Sequence, residues 1–569
     1  MEGFAWVPDP AISVAKGIPL SEEPGLGTLT VSGWLREVTG QFGPREALVQ
    51  PRPDGSTERW TYADLWDRSM EVARSLVACG LGKGDRVGIL ATNRAEFISA
   101  FLGTVLAGGT AAPLSTFSTP GELDQLIMAS CCSVLIVEPN VLGKDFVEVI
   151  ADLDPAIEKT GPDGIVSERY PFLRHAIAMD LKTVRRGFEP WNVFLRSGKN
   201  IPDAVVAGRA ASVTPADAAG LFFSSGSTGR PKGILNSHRG IAIQLWRWPR
   251  IFGLRSDERV WVLNGFFWSA PFGMGLGGAL SIGGTLVLLS TFDPEKAIAL
   301  IEAERITCPM GWPHQWAQLV AAPNFTSADL SSLRCVHPEN PISQHPTVST
   351  DWQEPTRIYG NTETFTLSTG YCSGTPEEIL RGAHGFPLPG MTVKVRDPFT
   401  GEALPMGERG ELAVKGATLM LGYAGVPIDE TFDDEGYFPT GDGGYIDAEG
   451  RVFWEGRLND IIKTGGANVS PVEVDGILLQ CPGVKIVKTV GIPDSLLGEM
   501  VVCCVVAHEG AAVTEAGVRA FAKEHLASFK VPRRVVFLSE DQLSQTGSAK
   551  VKTADLRTLV ADILETESV

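Results

Sequence analysis

Short apolar runs alternate with amphipathic stretches of helical spacing, and this pattern constrains the fold more than any other feature of the chain. Trp60-Thr61-Tyr62-Ala63-Asp64-Leu65 opens a helical stretch that ends at Gly80, and Asp85-Arg86-Val87-Gly88-Ile89-Leu90 follows as a strand. Residues 95–107 are again helical, and Gly108-Gly109-Thr110-Ala111-Ala112-Pro113-Leu114 closes a βαβ unit as a buried strand. The alternation returns around Pro294-Glu295-Lys296-Ala297 and Leu300-Ile301-Glu302-Ala303. Strands with two apolar faces must be covered by helices, which predicts an α/β protein with covered sheets. The longest uncharged stretches, 97–114 and 266–289, approach the length of a membrane span. Gly, Ala, Pro, Ser and Thr break both, so they read as core segments and no integral membrane segment is expected.

After Gly385 the character changes. Val393-Lys394-Val395, Gly410-Glu411-Leu412-Ala413-Val414 and Arg451-Val452-Phe453-Trp454 are short strands between Gly- and Asp-rich turns, as in a small β-rich subdomain. Beyond Gly456-Arg457-Leu458-Asn459-Asp460 come a helix at 471–480, strands at 484–492 and 500–507, and a helix at 514–526. That segment could form a compact module of its own.

Charge narrows the partners. With 49 Lys+Arg against 67 Asp+Glu the formal charge is −18, which argues against a nucleic-acid or anionic-membrane binder. A polyanionic ligand must therefore find a local basic island. The nine cysteines are scattered and contain no C-x-x-C, which predicts reduced thiols. Met1-Glu2-Gly3-Phe4 has no basic or apolar leader pattern, so a cytoplasmic protein is expected.

The sharpest local signal is Leu221-Phe222-Phe223-Ser224-Ser225-Gly226-Ser227-Thr228-Gly229-Arg230-Pro231-Lys232-Gly233. An apolar strand runs into hydroxyls, glycines and a lysine, which supply converging N–H groups, side-chain donors and a point charge for an oligophosphate. A Gly/Ser-rich surface turn would have a similar composition. It is not a Walker A loop, because Pro231 stands directly before Lys232 and the spacing differs.

This loop resembles the signature of the adenylate-forming superfamily, in particular its acyl-CoA synthetases, and further matches follow in that family's order. Tyr359-Gly360-Asn361-Thr362-Glu363 is similar to the motif whose tyrosine stacks on adenine, whose threonine contacts phosphate and whose glutamate holds Mg²⁺. Tyr437-Phe438-Pro439-Thr440-Gly441-Asp442 resembles the segment whose aspartate takes the ribose hydroxyls. Gly456-Arg457-Leu458-Asn459 resembles the hinge, with Arg457 in a ribose-binding position and Asn459 at the pivot. Lys463, Gly465 and Gly466 match the segment that lines a pantetheine channel, and Thr546-Gly547-Ser548-Ala549-Lys550 matches the loop of the adenylation lysine.

The resemblance implies a large N-terminal domain, 1–458, built of two α/β sheets and a small β-rich subdomain, and a small mobile α+β domain, 459–569. It also implies a two-step reaction: a carboxylic acid and ATP give an acyl-AMP, which CoA converts to a thioester. In the first step Lys232 and the loop residues Ser224 to Gly229 would hold phosphates, Mg²⁺ on Glu363 would neutralise charge, and Lys550 would bridge carboxylate and α-phosphate. Rotation of the small domain would then exchange Lys550 for the Lys463 segment. A homodimer stays open.

Three departures from the family pattern concern the first step. Where a P-x-x-H histidine is common, the chain reads Gly265-Phe266-Phe267-Trp268, and Trp268 can donate one N–H but cannot carry a proton. In the adenine turn, small residues are replaced by Pro338-Glu339-Asn340-Pro341, with Asn340 and Pro341 as the candidate nucleotide contacts and Glu339 positioned to repel phosphate if it points inward. Ala549 stands where glycine usually precedes the lysine. An adenylation-deficient enzyme that only thioesterifies a preformed acyl-AMP, and a nucleotide-binding pseudoenzyme, are therefore the alternatives. The acyl pocket is expected between Trp268 and the Tyr359 motif, with Phe272, Gly273 and Gly275 as walls; Trp246, Trp248, Trp312 and Trp316 are expected in the core.

Overall fold

The structure is a computed structural model that describes residues 12–159, 161, 164–225, 231–355, 357–458, 462–469, 471–542 and 553–567. Helix Tyr62–Ala78 begins where Thr61 and Asp64 cap each other reciprocally, side chain to backbone, so its first turn leaves few donors unmet. Its buried face carries Leu65, Val72, Ala73 and Leu76. The following helix, Ala95–Leu106, is buried on nearly every side, as an apolar helix without a polar stripe must be. One apolar cluster joins these helices to strands of two different sheets, through Val87 and Ile89 on one side and Leu48, Val260 and Leu286 on the other.

The larger of these sheets runs Glu189–Pro190, His175–Ala178, Val134–Val137, Arg86–Leu90, Thr110–Pro113, Ala218–Ser225, Pro231–Ser237, Gly422–Tyr423. It is parallel as far as Ala218–Ser225 and antiparallel in its last two pairings. The second has the order Cys308–Met310, Arg259–Val262, Thr285–Val287, Glu46–Pro51, Thr57–Thr61. The β-rich piece is an antiparallel sheet, Val14–Lys16, Met391–Arg396, Gly410–Gly416, Phe438–Ile446, Val452–Arg457. Its first strand comes from the far N-terminal part of the chain, a pairing over nearly 400 positions that no local pattern reveals.

The small C-terminal domain has one sheet. The hairpin of Ile462–Thr464 and Ala467–Val469 joins the start of Gly498–Ala507, which pairs along its length with Val484–Asp494 and Arg534–Phe537. Helices Pro471–Leu478 and Glu515–His525 cover one face, and Thr553–Glu567 covers the other through Leu556, Val560 and Leu564. The fold is thus mixed α/β with a large N-terminal and a small C-terminal domain, as expected. All nine cysteines are free thiols. No helix among the described residues is long and apolar enough to cross a membrane.

His238, at the start of helix His238–Ile251, is 1% exposed, and its Nδ1 accepts the N–H of Val31 at the start of another helix. Burial pushes its pKa down to about 4. The unfolded chain therefore binds the proton first as pH falls, so stability is full above about pH 6.5 and is lost towards pH 4, by about 3 kcal/mol at most. Thermal unfolding across that window should show the loss, and His238→Gln should flatten it; an unchanged profile in the variant would assign the loss elsewhere.

Candidate active site

A cleft of about 920 Å³ lies where the large sheet, the antiparallel sheet and the small domain meet. Ser224 and Lys232 enter it as opposed residues of the hairpin Ala218–Ser225 and Pro231–Ser237. Lys232 thus sits on the returning strand. Gly226, Ser227, Thr228 and Gly229 lie outside the described residues, and for Ser225 only the backbone is described. The Lys232 ammonium stands 5.0 Å from the centre of the Tyr423 ring, and the Tyr423 hydroxyl donates to Glu363 Oε1 at 2.8 Å. A cation, a ring and a carboxylate are so fixed relative to one another.

The Tyr359 to Glu363 motif is a self-capped turn. Asn361 Oδ1 accepts the Thr364 N–H at 3.0 Å, which spends the Asn361 side chain on holding the 3₁₀ turn Thr362–Thr364. The chain then passes through Phe365 (φ +45°) and Thr366 (φ +92°) and folds back on Gly360, where a β-carbon would lie 1.8 Å from the Thr366 carbonyl oxygen. Only glycine fits there. Thr362 faces Ser269 at the start of helix Ser269–Leu280, with hydroxyl oxygens 3.5 Å apart. Across the cleft the Tyr359 hydroxyl donates to Asp442 Oδ2 at 2.9 Å, and Asp442 is 3% exposed. Arg457 is its register partner on the neighbouring strand, where only the Arg457 backbone is described. Asn459 and Lys550 lie outside the described residues.

The small domain closes the cleft with its hairpin. Thr464 and Ala467 pair directly, leaving a two-residue turn of Gly465 (φ +55°) and Gly466 (φ +79°), the twist that suits a tight hairpin and demands positive φ twice. The same glycines make room for the large domain: a β-carbon on Gly466 would fall 2.4 Å from the Trp312 ring, and one on Gly465 3.2 Å from His314. Lys463 lies 3.3 Å from the centre of the Trp454 ring, also across the domain boundary. Trp268 lines the cleft, 4.7 Å from Phe267, 6.0 Å from Phe117 and 6.0 Å from Phe529 of the small domain, centre to centre.

Lys530 was not distinguishable in the sequence from any surface lysine. It is 9% exposed, with its ammonium 2.6 Å from Glu473 of its own domain and 3.1 Å from Glu122 of the large one. Burial opposes the charge, but the two carboxylates outweigh it and raise the Lys530 pKa. Burial raises that of Glu473. Glu122 Oε1 also accepts the Ala527 N–H at 3.0 Å, while Oε2 caps helix Pro120–Ser130 through Thr119.

Three sequence expectations are corrected. Asn340 and Pro341 do not line the cleft: Asn340 caps the short turn Pro341–Gln344, which is anchored by buried Ile342 in the cluster around Trp261 and Leu319. Glu339 is exposed and also lies outside the cleft. Phe272 and Gly275 are not its walls either, and Gly273 adjoins it only through Trp248, which a β-carbon there would crowd. Phe272 packs on Phe101, Phe222 and Phe365, so the helix turns that face into the core. Trp248 and Trp312, expected in the core, line the cleft instead.

Residues 35–424 match the model of the AMP-binding enzyme family, and residues 473–550 that of the AMP-binding enzyme C-terminal domain. The chain belongs to the AMP-binding enzyme family. Among its relatives is the 3-[(3aS,4S,7aS)-7a-methyl-1,5-dioxo-octahydro-1H-inden-4-yl]propanoyl:CoA ligase of Mycobacterium tuberculosis, 32% identical over 90% of this chain and 97% of the relative. Feruloyl-CoA synthase of an Amycolatopsis species is 32% identical over 87% of this chain and 93% of that one. Among solved structures, the amide bond synthetase McbA from Marinactinospora thermotolerans superposes with a TM-score of 0.70 at 25% identity, covering 92% of this chain and 99% of McbA.

Lys530→Met would leave Glu122 and Glu473 facing each other without their shared cation. Amide hydrogen exchange in 462–469 should then accelerate about tenfold or more, because breaking a buried ion pair is strongly destabilising. Unchanged exchange would show that docking rests on other contacts.

Proposed function

We propose that the chain is a carboxylic acid–CoA ligase that forms an acyl-AMP from an acid and ATP and transfers the acyl group to CoA. The observation that carries this is the meeting, in one cleft, of Lys232, Glu363 and Asp442 with the Gly465-Gly466 turn of the small domain. Matches to both family models, and relatives named as CoA ligases, support it.

In this reading Tyr359 and Asp442 hold the nucleoside, and Ser224, Lys232 and the loop between them hold the phosphates. Their positive charge and fixed donors stabilise the pyrophosphate as it leaves. Glu363, oriented by Tyr423, suits a hard cation that takes one carboxylate and completes its shell with phosphate oxygens and water; Mg²⁺ there would neutralise phosphate charge. Lys550 meets the carboxylate and the α-phosphate in the first step. For the second, the domains part at a hinge on Asn459, between 1–458 and 459–569, and the hairpin replaces Lys550. Trp312 Nε1 and His314 Nδ1, both buried without a protein partner, are suited to the amides of pantetheine beside the turn. Trp268 shields the reacting carbonyl from water. A cytoplasmic location belongs with this reading, supported by nine free thiols.

The adenylation-deficient alternative draws on Trp268, Glu339 and Ala549. Trp268 does line the cleft, Ala549 lies outside the described residues, Glu339 is exposed and away from the cleft, and the relatives do not favour the alternative. Two assays test the proposal: acid-dependent ATP–pyrophosphate exchange, and thioester formation from supplied acyl-AMP and CoA, over a panel of acids. Both should be robust. Thioester formation without exchange would restore the alternative, and silence in both with nucleotide binding retained would favour a pseudoenzyme. Lys550→Ala should cut exchange about a hundredfold and the thioester step far less. Gly466→Ala, with its β-carbon against Trp312, should do the reverse by a similar factor. Equal losses in the two half-reactions would sink these assignments.

A further inference from the structure

The acyl end of the cleft holds two polar groups for which the fold supplies no partner. Trp248, on helix His238–Ile251, is 2% exposed, and Thr366 is 8% exposed; both line the cleft, and neither Trp248 Nε1 nor Thr366 Oγ1 has a hydrogen-bond partner. Four other indoles find partners within the fold. Trp34 donates to Ser281 Oγ, Trp60 to Glu58, Trp246 to the Thr28 carbonyl and Trp352 to the Phe252 carbonyl. Among the described residues the fully buried indole nitrogens without a partner are those of Trp248, Trp261, Trp312 and Trp454, and all but Trp261 line the cleft. Lost indole hydrogen bonds therefore gather where a ligand would restore them.

Two glycines maintain the arrangement. A β-carbon on Gly273 would come within 2.7 Å of Trp248 Nε1, so only glycine on the facing helix fits against that edge of the indole. Gly360 admits the backbone of Thr366, whose φ of +92° is strained for a β-branched residue. The neighbouring wall is apolar, with Pro271, Ile358 and Leu367. An apolar body would satisfy most of this surface and leave the two polar atoms unpaired.

We infer that the acid taken by this chain carries, remote from its carboxylate, an oxygen that accepts a hydrogen bond from Trp248 and Thr366: a ketone, hydroxyl or ether on an otherwise apolar skeleton. An indole N–H can only donate, which fixes the ligand group as an acceptor; the threonine hydroxyl adapts to it. Plain alkanoic acids are disfavoured, because they would bury both groups unsatisfied. This rests on the ligase reading above and specifies its substrate class.

Pairs of acids that differ only in a ketone or the methylene in its place, among them a ketocyclohexyl propanoic acid and its cyclohexyl counterpart, with acyclic and bicyclic pairs beside them, provide the test. Acid-dependent ATP–pyrophosphate exchange gives kcat/KM for each, and calorimetry gives its Kd. The oxo member of at least one pair should be preferred about tenfold or more in both measures. Trp248→Phe, which removes the N–H and keeps the ring, should bring that ratio to within about twofold. Thr366→Val should lower it and Thr366→Ser restore it. Exchange with equal preference within every pair, or a ratio untouched by both Trp248→Phe and Thr366→Val, overturns the inference and leaves the ligase reading standing. No exchange with any acid overturns both.

Discussion

The backbone at Gly466 lies against the Trp312 ring so closely that a β-carbon would sit 2.4 Å from it. Two requirements fall on one dipeptide there. The tight turn needs positive φ at both central positions, and the indole leaves no volume for a side chain. Around that contact the cleft acquires its third wall: Lys463 over Trp454, Phe529 beside Trp268, and Lys530 between Glu122 and Glu473 are all set by where the hairpin rests. Without the docked turn Lys232, Glu363 and Asp442 would remain on the large domain, but the cleft would be an open face.

Electrostatics follow a related logic. In a chain of charge −18, the cations of the cleft each rest against a neighbouring ring or carboxylate. Lys232 lies over Tyr423, Lys463 over Trp454, and Lys530 between two carboxylates. An aromatic face steadies an ammonium without neutralising it, so the Lys232 charge stays available to an anion. Lys530 has its charge matched within the protein, which suits a structural role. The same residue type thus divides into ligand-facing and scaffold-facing members according to what lies beneath it.

Much of this was legible in the sequence. The alternation between 62 and 114 predicts covered sheets because period and length agree there, and Gly465 and Gly466 stand out through the resemblance of the segment that follows Lys463. The acyl wall was not legible. Helix Ser269–Leu280 is apolar on every side, so nothing in its pattern tells Phe272, which faces the core, from Pro271, which faces the cleft. Trp248 looks like any aromatic of a buried helix until its nitrogen proves unpaired. Asn340 and Pro341 were assigned by position in a motif from which this chain departs, and the departure built a capped turn instead. Lys530 needed tertiary structure, since its partners lie 57 and 408 positions away.

The division of labour within the Glu122 carboxylate has a consequence for motion. One oxygen belongs to the helix cap with Thr119, and the other receives Ala527 and Lys530. In the proposed two-step reaction, a small domain that turns away would leave the first set of bonds intact, and the side chain would stay clamped in the rotamer that docking requires. The large domain then offers a socket already cut to shape, so conformational freedom lost on return falls on the lysine alone. In that reading the return stroke would be a search by one flexible pin for a rigid hole.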